Sequence, residues 1–184
     1  MLHLASNSIA RAEILKKFDI SFTQEGCDFD EDSIIASSAK EFVYKATIGK
    51  YGVAKERFGI DIPILVADTV VTAGGKILRK AKDETDAREI LELQSGNITT
   101  IITCMIYESK ELYFLDIATT DYLFDTFDRD DLNAYLDSEQ WRGKAGACMV
   151  EGFCKKYIKE VKGLESNAMG LGIERLLPFI ESIK

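Results

Sequence analysis

One stretch of the sequence indicates the fold class, Pro63-Ile64-Leu65-Val66-Ala67-Asp68-Thr69-Val70-Val71. Its apolar run is interrupted only at the aspartate and threonine, a pattern typical of a strand that is buried on both faces of a sheet. The pattern places Asp68 at the end of this strand, where a carboxylate costs free energy unless it is paired or metal-bound and where ligands bind in α/β sheets. Asp68 is therefore a candidate functional residue, and the alternative is a structural N-cap or salt-bridge partner.

Helix and strand patterns alternate on both sides of this stretch. Residues 1–5 are short and apolar like a strand, residues 6–8 have loop and N-cap chemistry before a helix, and an apolar stripe predicts a long helix over 37–58 despite Gly49. On the C-terminal side, we predict a turn at 74–75, a helix over 83–93 with Asp83 as N-cap and a hairpin of strands 99–107 and 112–124. A short helix over 128–137, a strand over 157–163 and a terminal helix from 173 onward, interrupted by Pro178, follow. The sum is a mixed α/β sheet protein.

Length, composition and charge narrow the class of protein. A chain of 184 residues, 46% of them hydrophobic, fits one globular domain or two small lobes, and we expect a single domain over 1–184. Lys and Arg total 23 against 31 Asp and Glu, and the resulting charge of −8 disfavours binding to duplex nucleic acid. No segment approaches the ~20 apolar residues of a membrane span, and no targeting segment is evident, so we expect a cytoplasmic protein without a membrane partner. Four irregularly spaced cysteines predict reduced thiols: Cys27, Cys104, Cys148 and Cys154.

Several polar residues are candidates for a catalytic or binding role, and none of them is a histidine. His3 is the only histidine, which argues against Ser-His-Asp and Cys-His catalysis and against a His-rich metal site. Ser8 and Arg11 lie where a helix begins and could bind a phosphate, and the alternative is a simple helix cap beside a solvated arginine.

Charged side chains elsewhere suggest how a phosphate ester could be neutralised. The acidic cluster 28–32 could supply oxygen ligands to Mg²⁺ together with Asp68, although acidic runs are more often only solvated. Lys50 and Lys80 could neutralise phosphates, and each alone is a weak signal because most lysines face water. These residues predict a phosphate and divalent-metal site and do not identify a substrate.

Eight segments follow one another along nearly the whole chain in a characteristic order. The segments are Leu4-Ala5-Ser6-Asn7-Ser8-Ile9-Ala10-Arg11-Ala12-Glu13-Ile14-Leu15, Asp30-Glu31, Lys50, Ala67-Asp68-Thr69-Val70-Val71, Gly75-Lys76-Ile77-Leu78-Arg79-Lys80-Ala81-Lys82-Asp83, Ser95-Gly96, Lys144-Ala145-Gly146-Ala147 with Glu151-Gly152, and Ser166-Asn167-Ala168-Met169-Gly170-Leu171. Together they resemble the Maf family of nucleoside triphosphate pyrophosphatases. Each segment is weak alone, and their order makes the resemblance strong.

The resemblance implies an elongated, strongly curved mixed β-sheet with flanking helices and two lobes around a central cleft. It implies hydrolysis of a nucleoside triphosphate, normal or modified, to the monophosphate and pyrophosphate, with Asp68 as proton acceptor. Asp68 and Glu31 would hold a divalent cation, Mg²⁺ or Mn²⁺, and a homodimer is expected. The resemblance also assigns four residues to the triphosphate: Ser8, Arg11, Lys50 and Lys80.

Three positions that resemble the family's base-selecting residues depart from its patterns, namely Ala10, Thr69 and Glu151. The group preferring dTTP and UTP resembles this chain at Ala67-Asp68-Thr69 and 144–147, but it carries Arg and Gln where Ala10 and Glu151 stand. The 7-methyl-GTP group resembles it at 95–98 and Glu151-Gly152, but it carries Trp where Ala10 stands and Gln where Thr69 stands, so neither group matches fully. Glutamate can only accept hydrogen bonds, so Glu151 favours a purine or a cationic methylated guanine. The absence of arginine at Ala10 supports an alternative, a catalytically weakened nucleotide-binding regulatory protein linked to cell division.

Overall fold

The computed structural model describes residues 1–148, 150 and 152–181. Strands and helices alternate in this part of the chain. The strands are β1 Leu2–Leu4, β2 Phe22–Gln24, β3 Ile64–Ala73, β4 Lys76–Leu78, β5 Ile98–Glu108, β6 Tyr113–Phe124 and β7 Ile158–Lys162. The helices are α1 Ile9–Lys17, α2 Ala39–Phe58, α3 Glu84–Gln94, α4 Arg129–Asp137, α5 Glu165–Ala168 and α6 Leu177–Glu181. Short 3₁₀ turns lie at Glu31–Ser33, Phe153–Tyr157 and Ile173–Arg175.

The strands form one mixed sheet in the order β2-β1-β3-β5-β6-β7, with β4 paired to β3. β1 is parallel to β2 and to β3, and His3 stands in register with Thr23 and Ile64. β4 is antiparallel to β3, and β7 is antiparallel to β6. The prediction of a mixed α/β sheet flanked by helices is confirmed.

Local capping chemistry sets where the longer helices begin. Four residues each accept a backbone N–H bond from the first turn of the helix that follows, which satisfies donors without an intrahelical partner. They are Ser8 for α1, Ser38 for α2, Asp83 for α3 and Asp128 for α4. The predicted cap at Asp83 is confirmed.

The chain divides into two compact units, each with its own core. The first comprises Met1–Thr69, Ile102–Thr119 and Leu164–Lys184, and the second Val70–Ile101 and Thr120–Gly163. The core of the first unit joins β1, α1, β3 and β5 to the C-terminal segment through buried apolar side chains, among them Leu4, Leu15, Leu65, Met105 and Leu171. In the second unit Trp141 is 1% exposed, and its indole Nε1 donates to the Leu136 carbonyl at 3.0 Å. An indole is buried without cost only when its N–H is paired in this way.

Two sequence predictions need correction. The terminal helix does not run from Ile173 to a break at Pro178; instead α6 begins at Leu177, and Pro178 lies in its first turn, where a missing N–H is tolerated. The prediction of four reduced thiols is wrong for Cys148 and Cys154, which form a disulfide across Cα atoms 6.4 Å apart, a separation that this bond spans. Among the described residues, no helix is long and apolar enough to cross a membrane.

Candidate active site

The buried carboxylate of Asp68 is paired with a lysine. Asp68 lies in the middle of β3, not at the strand end that the sequence pattern predicted, because the strand continues to Ala73. It is 7% exposed, and Lys50 Nζ donates to its Oδ1 at 2.6 Å. The same ammonium lies 2.6 Å from Glu31 Oε1. Charges removed from water need such partners, so Lys50 offsets the cost of placing Asp68 inside the sheet. One cation therefore holds two carboxylates together. Of the two structural alternatives for Asp68, the salt-bridge partner is observed and the N-cap is excluded by its position inside a strand.

The acidic segment before α2 has two different roles. Asp30 caps the 3₁₀ turn Glu31–Ser33, because its Oδ1 accepts the Asp32 backbone N–H at 3.0 Å. Glu31, the next residue, turns its carboxylate to Lys50 instead. The capped turn fixes the backbone from which Glu31 reaches the lysine. Of the Asp30-Glu31 pair, Asp30 is thus a structural cap, and Glu31 contributes a negative charge to the site.

Arg11 is braced by three different partners of the first unit. Its Nε donates to the Gly170 carbonyl at 2.8 Å, Nη1 to Ser6 Oγ at 2.9 Å and Nη2 to Thr69 Oγ1 at 3.2 Å. Burial lowers the pKa of Arg11, and the negative charges of Asp68 and Glu31 oppose that shift. The alternative of a solvated arginine is therefore wrong.

Ser8 performs the capping role that the sequence analysis gave as its alternative. Its Oγ accepts the Arg11 backbone N–H at 3.3 Å, and its own N–H donates to Ser6 Oγ at 3.3 Å. Ser6 accordingly contacts both the start of α1 and the Arg11 guanidinium. Ala10 lies between Ser8 and Arg11 in the first turn of α1. The capping bond holds the backbone of Arg11 in place while the three side-chain bonds fix its guanidinium.

Gly170 permits the close approach of Arg11 and Thr69. Its φ of 104° lies in the region that favours glycine, and a Cβ there would lie 3.3 Å from both Arg11 Nε and Thr69 Oγ1. The sequence pattern included Gly170 without giving it a role. Its carbonyl acceptor and its missing side chain both serve Arg11.

The hydroxyl of Thr69 has a fixed hydrogen-bond direction. Thr103 Oγ1 donates its only proton to the Asn167 carbonyl at 2.8 Å, so in the 2.9 Å contact between the two threonines Thr69 must be the donor. Thr69 Oγ1 then accepts from Arg11 and has acceptor capacity alone for any further partner. Sequence reasoning missed Thr103, whose contacts come from distant segments of the chain.

Replacing Thr103 by valine is expected to destabilise the fold by about 1–3 kcal/mol. Thr103 is 2% exposed, and the change removes the donor to the Asn167 carbonyl and the acceptor of the Thr69 hydroxyl. Urea denaturation measures the loss, and Thr103→Ser, which keeps the hydroxyl, should recover most of it. Equal stability of the valine and serine variants would contradict the hydrogen-bond assignment.

Lys80 lies in the second unit, after β4. The backbone of Lys80 pairs with that of Ala145 in an antiparallel bridge, and the Gly146 N–H donates to the Arg79 carbonyl at 3.1 Å. Buried Gln94 donates to the Gly146 carbonyl at 2.7 Å and so holds the 144–147 turn in place. Glu151 lies outside the described residues. The first unit thus contains seven of the nine predicted site residues: Ser8, Ala10, Arg11, Glu31, Lys50, Asp68 and Thr69.

The donor set of this site suits a hard divalent cation. The structure holds no group of three His, Cys, Asp or Glu side chains arranged for a metal ion among its described residues. Mg²⁺ usually takes one or two protein carboxylates and completes its shell with water and substrate phosphates. Glu31 and Asp68, which share Lys50 at 2.6 Å, match that requirement in number and type of oxygen.

Comparison with known proteins gives one consistent result. A family model described as Maf-like protein matches residues 1–183. A protein from a Nitratiruptor species, named nucleoside triphosphate pyrophosphatase, is 56% identical over 178 residues, 96% of this chain and 96% of that protein. Proteins of the same name from Helicobacter pylori and Campylobacter jejuni subsp. jejuni are 40% and 35% identical. Those matches cover 96% and 98% of this chain and 93% and 100% of the two relatives.

Proposed function

The chain belongs to the Maf family, and we propose that it is a nucleoside triphosphate pyrophosphatase. As such it is a hydrolase of phosphoanhydride bonds that converts a nucleoside triphosphate to the monophosphate and pyrophosphate. The observation that carries the proposal is the buried Asp68 carboxylate held at 2.6 Å by Lys50, which also holds Glu31. The activity named for the three relatives supports the same reaction. We take residues 1–184 as one functional domain, since the family match covers 1–183.

We assign Asp68 as the proton acceptor of the hydrolysis. A water oxygen forms a bond to the α-phosphorus, the bond from that phosphorus to the bridging oxygen of pyrophosphate breaks, and the water proton passes to the Asp68 carboxylate. Most of the catalysis of such a reaction comes from positioning and from neutralising negative charge. The reaction does not require a histidine, because a carboxylate serves as the base.

Charged residues around Asp68 would neutralise the triphosphate. Glu31 and Asp68 would hold Mg²⁺ or Mn²⁺, which supplies charge neutralisation and polarisation of phosphoryl oxygens when bound. The residues proposed to bind the triphosphate are Ser8, Arg11, Lys50 and Lys80. For Arg11, three bonds to protein atoms account for three of its five N–H groups, and a planar pair of donors suits phosphate oxygens.

We propose that the base pocket favours a base rich in N–H donors. Two of the proposed base-reading residues accept hydrogen bonds only: Thr69, whose proton is engaged by Thr103, and Glu151, whose carboxylate has no donor. Guanine and its 7-methyl derivative present N–H donors, whereas a bare carbonyl edge of thymine or uracil would be repelled. The small side chain of Ala10 leaves more room than the arginine or tryptophan of the related groups.

A panel of nucleoside triphosphates tests both reaction and base. We expect Mg²⁺-dependent release of pyrophosphate that is fastest with a purine, normal or methylated, and a shift toward dTTP or UTP in the Glu151→Gln variant, whose amide can also donate. Unchanged base preference in that variant would contradict the base assignment. Absence of release from every triphosphate, with calorimetry still detecting nucleotide binding, would contradict the enzyme and indicate the regulatory nucleotide-binding protein.

A further inference from the structure

A glycine inside α2 stands beside the proposed site. Glycine in a helix interior is less stable than alanine, so its presence at Gly49 needs a physical reason. A Cβ at this position would lie 2.6 Å from Cε1 of the Phe29 ring and closer still to Cζ and Cε2. At Gly52, one turn further along the same helix, a Cβ would meet nothing within 4 Å. The helix is therefore bare at Gly49 where the Phe29 ring packs against it.

Phe29 and Gly49 each lie close in sequence to one partner of the Glu31–Lys50 ion pair. Phe29 lies two residues before Glu31, and Gly49 immediately precedes Lys50. Two contacts thus join the same loop to the same stretch of α2. One is the 2.6 Å ion pair of Glu31 with Lys50, and the other is the packing of the Phe29 ring on Gly49. The contact of the ring with the helix is apolar, so it does not depend on the charges that a phosphate or a metal ion would bring to the ion pair.

Other contacts of the loop with α2 lie toward its two ends. Cys27 packs against the cluster that includes Ala54, and Ser37 N–H and Oγ donate to Glu41 Oε2 at 2.7 and 2.6 Å. The internal bonds of the loop, from the Asp32 N–H to Asp30 Oδ1 at 3.0 Å and from the Ile34 N–H to the Glu31 carbonyl at 3.2 Å, shape the turn without touching α2. Lys45 Nζ donates to the Ile35 carbonyl at 2.8 Å, but that lysine is half exposed and also pairs with Glu41. Exposed pairs of this kind contribute little.

We propose that Phe29 and Gly49 are positioning residues that hold Glu31 in place beside Lys50 and Asp68. The ring occupies the volume of a missing Cβ, and this docks the loop on the helix independently of any ligand. The catalytic meaning of the pair rests on the proposed function, because Glu31 is there a ligand of the divalent cation. The docking itself is a property of the protein alone.

Four variants test the docking without nucleotide or metal: Gly49→Ala, Phe29→Ala, the double variant and Gly52→Ala. Hydrogen exchange of residues 28–35 should be faster in Gly49→Ala and in Phe29→Ala than in the unaltered protein. Gly52→Ala is the matched control, since it adds the same methyl group to the same helix in open space, and it should leave this exchange unchanged. In the double variant the alanine has no ring to displace, so exchange should equal that of Phe29→Ala.

Activity measurements connect the docking to Glu31. Displacement of a catalytic ligand by about 1 Å lowers rates by up to roughly 10²-fold, so Gly49→Ala should lower kcat by tenfold or more while Gly52→Ala does not. In a Glu31→Gln background, Gly49→Ala should cause no additional loss, because the group it displaces is already disabled.

Defined outcomes would overturn the proposal. The proposal is wrong if residues 28–35 exchange in Gly49→Ala at the rate of the unaltered protein, or if Gly49→Ala and Gly52→Ala change that rate equally. It is also wrong if Gly49→Ala has its full effect on exchange in the Phe29→Ala background. Failure of the unaltered protein to release pyrophosphate would contradict the proposed function instead. The exchange comparison would still decide whether the ring docks the loop.

Discussion

Replacing Asp68 by asparagine is expected to lower pyrophosphate release by roughly 10²–10⁴-fold. The amide has the shape of the carboxylate but cannot accept the water proton, and it is a poor ligand for a hard cation. The loss should appear in kcat, measured as pyrophosphate formed under saturating nucleotide and Mg²⁺. Lys50 keeps Glu31 as a partner at 2.6 Å in this variant, so a folded protein is expected and circular dichroism checks it.

A second aspartate of the same unit provides the matched control. Asp116 lies in β6, its side chain is 14% exposed, and it accepts from Arg175 Nε and Nη2 at 2.6 and 2.7 Å. Asp116→Asn therefore also removes a charge from a shielded, arginine-bound carboxylate, without touching the site. Activity should stay near that of the unaltered protein in this control. A similar small loss in both variants would show that Asp68 is not the proton acceptor.

Features that depend on neighbouring residues could be predicted from the sequence. The apolar run around Asp68 identified β3 because burial on both faces leaves a continuous apolar pattern. Helix starts followed from capping chemistry, as at Asp83, since a side chain reaches only the first turn that follows it. The candidate role of Asp68 arose from the cost of a charge within such a strand, and its partner Lys50 became visible only in the structure.

Features that depend on distant segments could not be predicted. The bond from Arg11 to the Gly170 carbonyl joins residues 159 positions apart, and no local pattern contains it. β2 and β4 are three residues long, and their pairing with neighbouring strands rather than their own propensity makes them strands. Gly49 was an obstacle to the predicted helix until the Phe29 ring explained it. The residues of the site were recognisable one by one, and their mutual bracing was not.

The bracing of Arg11 leads to the second large effect. A guanidinium has five N–H donors in a rigid plane, and Gly170, Ser6 and Thr69 accept three of them within the described residues. These bonds set the plane of the group, and we propose that its two other donors bind phosphate oxygens. Arginine is suited to both tasks because its donors are fixed relative to one another, whereas lysine presents a single rotating ammonium.

Arg11→Lys is therefore expected to lower kcat/KM on the order of 10²-fold, the typical effect of removing a preorganised donor to phosphoryl charge. The variant should also unfold more easily, by about 1–3 kcal/mol, because acceptors that the guanidinium served lose their donors. Steady-state kinetics and urea denaturation measure the two effects separately. Arg57→Lys, at an exposed arginine that pairs with Glu25, is the matched control and should change neither. A loss of stability with kcat/KM unchanged would mean that Arg11 only braces the fold, and the assignment of its remaining donors to the triphosphate would then be wrong.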